Sequence, residues 1–251
     1  VLNDTRIPSQ RVDLISELDG GGPSRPWFRF FSNLYEFVGL RDGVIPETSG
    51  GTGNVTYATG DILYASAADT LSRLPVPGVG NAAYLGTDGT NMPQWVVVAY
   101  GAFLFTTSSS FAANTPTAIT FSTTEHSKNV ALGSPASRVY VSNTGLYNVM
   151  FSVQLANTST SQVDDCIIWL KLGGTDIANT ATHVSVPVKH SGVNGTAVLT
   201  VNVFHDFDAG EYFELYALSQ NGTSQVTTIP GSASPLYPQS PAVILTVNQI
   251  V

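Results

Sequence analysis

Charge is scarce in this chain. Asp, Glu, Lys and Arg together make up 11% of its 251 residues, and lysine occurs only at Lys128, Lys171 and Lys189. Charge-driven disorder and long solvated helices need more charge than that, whereas a 43% hydrophobic content suits a β-rich fold. The net charge of −8 is accompanied by no Lys/Arg cluster, so nothing supplies the phosphate contacts that nucleic-acid binding requires. Cysteine occurs once, as Cys166; no intrachain disulfide can form, packing must hold the fold, and a reducing cytoplasm is a compatible place of assembly. No run of about 18 apolar residues occurs, and Val1-Leu2-Asn3-Asp4-Thr5-Arg6 lacks the basic-then-apolar order of a signal peptide. A soluble protein without membrane insertion or Sec export is expected.

Catalytic motifs are equally sparse. The chain has no Gly-x-Ser-x-Gly elbow, His-Glu-x-x-His helix or phosphate-binding glycine loop. Cys166 follows Asp164-Asp165, whose charge disfavours a thiolate, and it opens an apolar strand; a buried structural thiol is expected. His205-Asp206-Phe207-Asp208 has ligand chemistry but sits at a strand end, where acidic turn residues are ordinary, and His126, His183 and His190 lack ligand spacing. No catalytic residue, metal or cofactor is therefore expected. Paired carboxylates for glycoside cleavage stay open, because their separation is a tertiary property.

What is present falls into three parts. Residues 1–46 hold five of the ten basic residues, all Arg, and the segment Pro23-Ser24-Arg25-Pro26-Trp27-Phe28-Arg29-Phe30-Phe31-Ser32-Asn33-Leu34-Tyr35. Ser24 suits a cap, Pro26 a first turn and Gly39 a stop, which predicts a helix over about 25–38. Trp27, Phe30, Phe31 and Leu34 recur at three- and four-residue spacing and form one wide apolar face. That face either packs on its own chain or docks on another protein; the flanks offer few apolar residues to cover it, which favours docking through Arg25, Trp27, Phe28, Phe30, Phe31, Leu34 and Tyr35.

Residues 47–95 are rich in Gly, Ala, Ser and Thr, and their apolar side chains follow no helical period. One copy buries too little to be stable alone, whereas three copies around an axis would share a narrow core through Leu71, Leu74, Tyr84, Leu85 and Trp95. The alternative is a flexible linker, against which Tyr57, Tyr64, Tyr84 and Trp95 weigh.

Residues 96–251 show period-two alternation. In Gly145-Leu146-Tyr147-Asn148-Val149-Met150-Phe151-Ser152-Val153-Gln154-Leu155 the odd positions from Tyr147 are apolar. Similar runs are 118–122, 138–142, 166–172, 183–188, 197–205, 211–218 and 242–250, punctuated by turns such as Gly173-Gly174 and Asn221-Gly222. About eight short strands predict a β-sandwich, most simply a jelly roll. Its polar, uncharged loops, with Asn157, Gln162, Asn221 and Tyr237, either are simply solvated or present amides and a ring to a receptor such as a host-surface polysaccharide.

Three stretches carry resemblances. Ser49-Gly50-Gly51-Thr52-Gly53, the run Gly60-Asp61-Ile62-Leu63-Tyr64-Ala65-Ser66-Ala67-Ala68-Asp69-Thr70-Leu71-Ser72-Arg73-Leu74, and Gly86-Thr87-Asp88-Gly89 leading into Pro93-Gln94-Trp95 resemble the neck module of bacteriophage fibre proteins. The order Pro8-Ser9-Gln10-Arg11-Val12, Pro23-Ser24-Arg25 and the aromatic helix is similar to the attachment segment of phage structural proteins. Arg138-Val139-Tyr140-Val141-Ser142-Asn143-Thr144-Gly145-Leu146-Tyr147-Asn148-Val149, Gly210-Glu211-Tyr212-Phe213-Glu214-Leu215 and the ending Ile250-Val251 resemble the complement-globular-head and tumour-necrosis-factor superfamily. The chain departs from that superfamily in lacking a Phe-rich closing strand and in carrying a Pro/Ser/Gly-rich insert at 230–241.

These resemblances imply a homotrimeric, non-enzymatic virion appendage assembled in the bacterial cytoplasm. Its N-terminus would be held by capsid or tail proteins and its knob would face the host. A capsid decoration protein and a glycan-cleaving tail spike are the alternatives.

Overall fold

The computed structural model describes residues 13–16, 22–37, 51–68, 70–78 and 83–250. Pro8 to Val12 of the attachment-like order, the 46/47 boundary and Ser49-Gly50 of the neck motif lie outside them. The chain divides into two compact units, Val1–Val97 and Val98–Val251, and the described residues are mainly strand with one helix.

The first unit is built from local pieces. Ile15–Ser16 pairs with Gly22–Pro23, and the helix Arg25–Phe37 follows directly. The carbonyl of Ser24 accepts the first helical bond from the Phe28 amide. The Ser24 hydroxyl, expected to cap the helix, instead donates to the Asp13 carbonyl at 2.6 Å, and the Ser24 amide donates to Leu14. The hydroxyl thus ties the helix to the preceding chain. Two separate hairpins follow, Ile62–Ala67 with Thr70–Leu74 and Ala83–Thr87 with Pro93–Val97.

The second unit holds two seven-stranded antiparallel sheets. In the first, Thr123–Lys128, Tyr100–Phe105, Val243–Gln249, Gly145–Asn157 and Gly195–Phe207 lie side by side in that order. Ser224–Val226 extends the same edge along the end of Gly145–Asn157 and pairs on its other side with Ser109–Ser110. In the second sheet the order is Val130–Leu132, Arg138–Val141, Tyr212–Ser219, Asp164–Leu172 and Thr182–Val186, with Thr117–Ala118 and Thr175–Asp176 pairing at strand ends. Tyr100–Phe105 and Thr123–Lys128 are neighbours in the first sheet and Asp164–Leu172 and Thr182–Val186 in the second, whereas the chain changes sheet from Arg138–Val141 to Gly145–Asn157, on to Asp164–Leu172, and again from Thr182–Val186 to Gly195–Phe207 and to Tyr212–Ser219.

The alternation expected from sequence decides which residues go inside. Tyr147, Val149, Phe151, Val153 and Leu155 of the first sheet meet Val139, Val141, Cys166, Ile168, Leu170, Phe213 and Leu215 of the second in one buried core. Phe207 stacks on Phe213 at 5.2 Å across the two sheets. Tyr147 is buried as well, and its hydroxyl donates to the Asn143 carbonyl at 2.8 Å, so its polar end is satisfied. Gly173 and Gly174, both at positive φ, close a two-residue turn between Leu172 and Thr175, a conformation glycine adopts without strain.

The run expected as a strand over 118–122 is mostly not one. Thr117–Ala118 pairs with the second sheet, but the Ile119 amide bonds to Leu215 and the Phe121 amide to Ala136 singly, because both side chains are drawn into the core. Replacing Phe151 by Ala is expected to lower stability by about 3–5 kcal/mol, since a fully buried ring leaves a cavity there. Chemical denaturation followed by near-ultraviolet circular dichroism reads the loss.

Candidate functional site

The helix brings its aromatic residues together. Trp27 stacks on Phe31 at 5.7 Å and meets Phe30 edge-on at 5.8 Å, as three- and four-residue spacing on a helix dictates. Phe28, 62% exposed, and Tyr35 widen the apolar arc, and Phe31 and Leu34 are also exposed. Arg25 stands with Arg29 on the opposite side by the same spacing, so it does not join the stripe.

Leu71, Leu74, Tyr84, Leu85 and Trp95, expected to share a core among three chains, are not gathered into a core within one chain. Leu85 lies opposite Trp95 and Leu74 opposite Ile62 in their hairpins, while Leu71 sits opposite Ala65. Tyr84 and Leu85 are exposed, and Leu71, Leu74 and Trp95 are half-buried. Among the residues of the first unit whose exposure is described, none is buried as a whole, although the Asp61 side chain is only 3% exposed. What order these hairpins have is polar and local. Arg73 pairs with Asp61 at 3.4 Å and also donates to the Thr56 carbonyl. Asp88 accepts from the Thr90 amide, the Thr90 hydroxyl and the Met92 amide, bonds that hold its carboxyl below the ordinary range.

At one end of the second unit, the loop 219–223 closes on Asp164. This side chain is fully buried. It accepts from the Ser219 hydroxyl at 2.5 Å, the Asn221 amide at 2.9 Å, and the Thr223 amide and hydroxyl at 3.1 and 3.2 Å. Burial pushes its pKa up, but the bonds from Ser219, Asn221 and Thr223 outweigh that and hold it below 3.8. The neighbouring loops join through the Thr158 amide to Thr223 and the Lys189 amide to Ser159.

Asn157, expected to meet a receptor, is fully buried. Its amide donates to the carbonyls of Gln162 at 2.9 Å and Val186 at 3.2 Å and accepts from the Ser159 amide, so it shapes the loop from within and presents nothing outward. Gln162 and Asn221 are exposed in this cluster, although the Asn221 side chain donates to the Val163 carbonyl. Tyr237 belongs to a separate element, the Ser232–Ala233 and Leu236–Tyr237 hairpin of the insert.

Cys166 is buried, and burial together with the carboxylates of Asp164 and Asp165 pushes its thiol up to about 11, so it is protonated and inert at neutral pH. Among the described residues, no cluster of three or more His, Cys, Asp or Glu is arranged to hold a metal ion.

The outward faces of both sheets hold side chains that the sequence reading did not single out. On the second sheet, register places Tyr140 opposite Tyr212, then Arg138, Glu214, Lys171 and Asp176 in one row, then Tyr216 opposite Trp169. Arg138 lies over the Tyr212 ring at 4.5 Å and Lys171 over Tyr216 at 4.7 Å. Asp176 accepts from the Trp169 indole at 2.6 Å and pairs with Lys171 at 3.1 Å, and these contacts hold its carboxyl low. On the first sheet, four adjacent strands contribute Leu104, Ile244, Ser152 and Thr200; Ala102, Thr246, Met150 and Asn202; and Tyr100, Asn248, Asn148 and Phe204, three cross-strand rows without a charge. The signal for both faces was present as alternate positions, but which strands lie side by side was not.

No protein-family model matches this chain, and no curated protein matches it either.

Asp164 stabilises the fold fully above its ordinary value of 3.8, and that contribution is lost as pH falls through its lower folded value. Asp164→Asn should therefore cost about 2 kcal/mol at neutral pH and flatten the acid limb of stability against pH, as read by denaturant titrations across that limb.

Proposed function

We propose that this protein is a non-enzymatic structural component of a bacteriophage particle. In this reading it is a homotrimeric appendage, docked by its aromatic helix on capsid or tail proteins, with a C-terminal jelly roll facing the host surface. The observation that carries the proposal is the contrast in burial between the two units. The second has a continuous core, whereas no apolar residue of the first whose exposure is described is buried, although Phe28, Phe31, Leu34, Tyr57, Tyr84 and Leu85 are large apolar side chains. A segment with that composition gains order by sharing its apolar surface with other chains.

The charge-free face of the first sheet supports self-association. Val198 at 63%, Phe204 at 58% and Met150 at 44% exposure lie on it, and the only charged residue on the outward positions of those four strands is Asp206, at one end. Burying such a face removes apolar area from water without desolvating a charge. The two antiparallel sheets, between which the chain crosses repeatedly from Arg138–Val141 to Tyr212–Ser219, support the jelly-roll reading. The same topology accounts for why residues distant in sequence line each face. The low thiolate character of Cys166 supports a role in binding rather than reaction.

Light scattering of the full chain is expected to give three chain masses, and a single chain mass would overturn the assembly. Phe204→Asp, which places a charge on the uncharged face, should shift the chain toward the monomer while far-ultraviolet circular dichroism still reports the sheets. Replacing Trp27 and Phe31 by Ser is expected to abolish incorporation into particles without changing the mass. Normal incorporation of that variant would mean that the helix packs within its own assembly.

A further inference from the structure

We propose that the outward face of the second sheet is a saccharide-binding platform, formed by Tyr140, Trp169, Arg138, Lys171 and Asp176, that takes a neutral oligosaccharide lying across the strands. The proposal deepens the host-facing role assigned to the C-terminal unit and moves it from the loops to a sheet face.

Outward positions of an antiparallel sheet facing water ordinarily carry small polar or charged side chains. Here three adjacent strands place Tyr140, Tyr212, Tyr216 and Trp169 there, all half-buried by lying against one another. Tyr140 and Tyr212 are 5.3 Å apart, and Trp169 and Tyr216 are 5.7 Å apart. A cation lies over each inner ring, Arg138 over Tyr212 and Lys171 over Tyr216. Neither cation lies over the outer rings, Tyr140 and Trp169, although the Arg138 side chain also hydrogen-bonds Tyr140. Tyr140 also lies close against the chain at Gly133, where a Cβ would fall 2.3 Å from its ring, so the absence of a side chain at 133 lets the ring settle there.

The spacing of the outer rings matches a short sugar chain. Tyr140 and Trp169 are separated by two strand spacings and by four residues along the sheet, about 16 Å on the diagonal, the length of roughly three pyranose rings. The apolar faces of terminal sugar rings would pack on Tyr140 and Trp169. Between those two contacts runs the polar row.

That row selects the chemistry of the ligand. Arg138 and Lys171 only donate hydrogen bonds, while Asp176 as a carboxylate only accepts them, and the buried Glu214 adds its charge beneath the row. A hydroxyl group does both, so a chain of hydroxyls can satisfy the row in either direction. The two cations and two carboxylates also balance, which leaves no net charge to attract a phosphate backbone or a polyanion. Glu214 is already fixed by the Ser137 hydroxyl at 2.6 Å, and Asp176 by Trp169 and Lys171, so the row is ordered before a ligand arrives.

The test uses the full chain on an array of immobilised neutral oligosaccharides: glucans, mannans, galactans and chito-oligosaccharides of four units or more. Saturable binding to at least one of these is expected, and Trp169→Ala should weaken it by tenfold or more. Tyr140→Ala, on a different strand, should do the same, so the result stands even where one of the two variants misfolds. Trp169→Phe, which keeps a ring, should weaken binding less, and Gln162→Ala in the loop cluster should leave it unchanged. Absence of binding to every saccharide on the array overturns the proposal. So does binding that survives both alanine variants or is lost with Gln162→Ala. None of these outcomes bears on the trimer, which the chain mass tests without sugar.

Discussion

The thirteen-residue strand Gly145–Asn157 fixes the register of the first sheet. One edge is paired along its whole length with Gly195–Phe207, and the other is divided between Val243–Gln249 and Ser224–Val226. Because side chains alternate, a slip by one residue would send Tyr147, Val149, Phe151, Val153 and Leu155 to the outside and bring Met150, Ser152 and Gln154 into the core. The buried set therefore locks the pairing. That lock determines what the opposite surface displays: the uncharged rows around Met150 are the necessary reverse side of the core around Phe151.

The same logic explains which parts of the fold could be read from sequence. The Gly145–Asn157 strand was legible because one face is apolar and the other polar. Tyr100–Phe105 was not, since Gly101, Phe103 and Phe105 face the core while Tyr100, Ala102 and Leu104 face outward, and no alternation survives. Thr123–Lys128 was hidden for the opposite reason, being an edge strand of almost wholly exposed, polar residues. At the loop end, Asn157 looked like a surface amide because its sequence neighbours are Thr and Ser. Its burial depends on the carbonyls of Gln162 and Val186, and the second comes from a different strand. The aromatic rows of the second sheet draw on segments around 140, 170 and 214. No local pattern announces that these segments are adjacent.

Polar groups in the C-terminal unit are used mainly as fasteners. Asp164 replaces water with four donors from one loop, Asn157 does the same with three backbone groups, and Glu214 takes the Ser137 hydroxyl. Each is a buried polar group that costs free energy unless bonded, so each commits its surroundings to one arrangement. The first unit has a comparable group in the Asp61 carboxylate, 3% exposed, which takes the Arg73 side chain and the Ala58 amide. Its Asp61 and Asp88 bonds tie neighbours close in sequence and leave its apolar surface uncovered.

On the proposed assembly, that uneven burial separates the ordering of the two units in time. A unit whose core is complete within one chain folds at a rate independent of how many copies surround it. A unit whose apolar surface must be covered by other copies becomes ordered only as fast as those copies meet, and its order dissolves on dilution. On the proposed assembly, newly made chains would thus carry finished C-terminal units while their N-terminal units still waited for partners. The concentration of chains in the cell would then set when the docking end becomes competent.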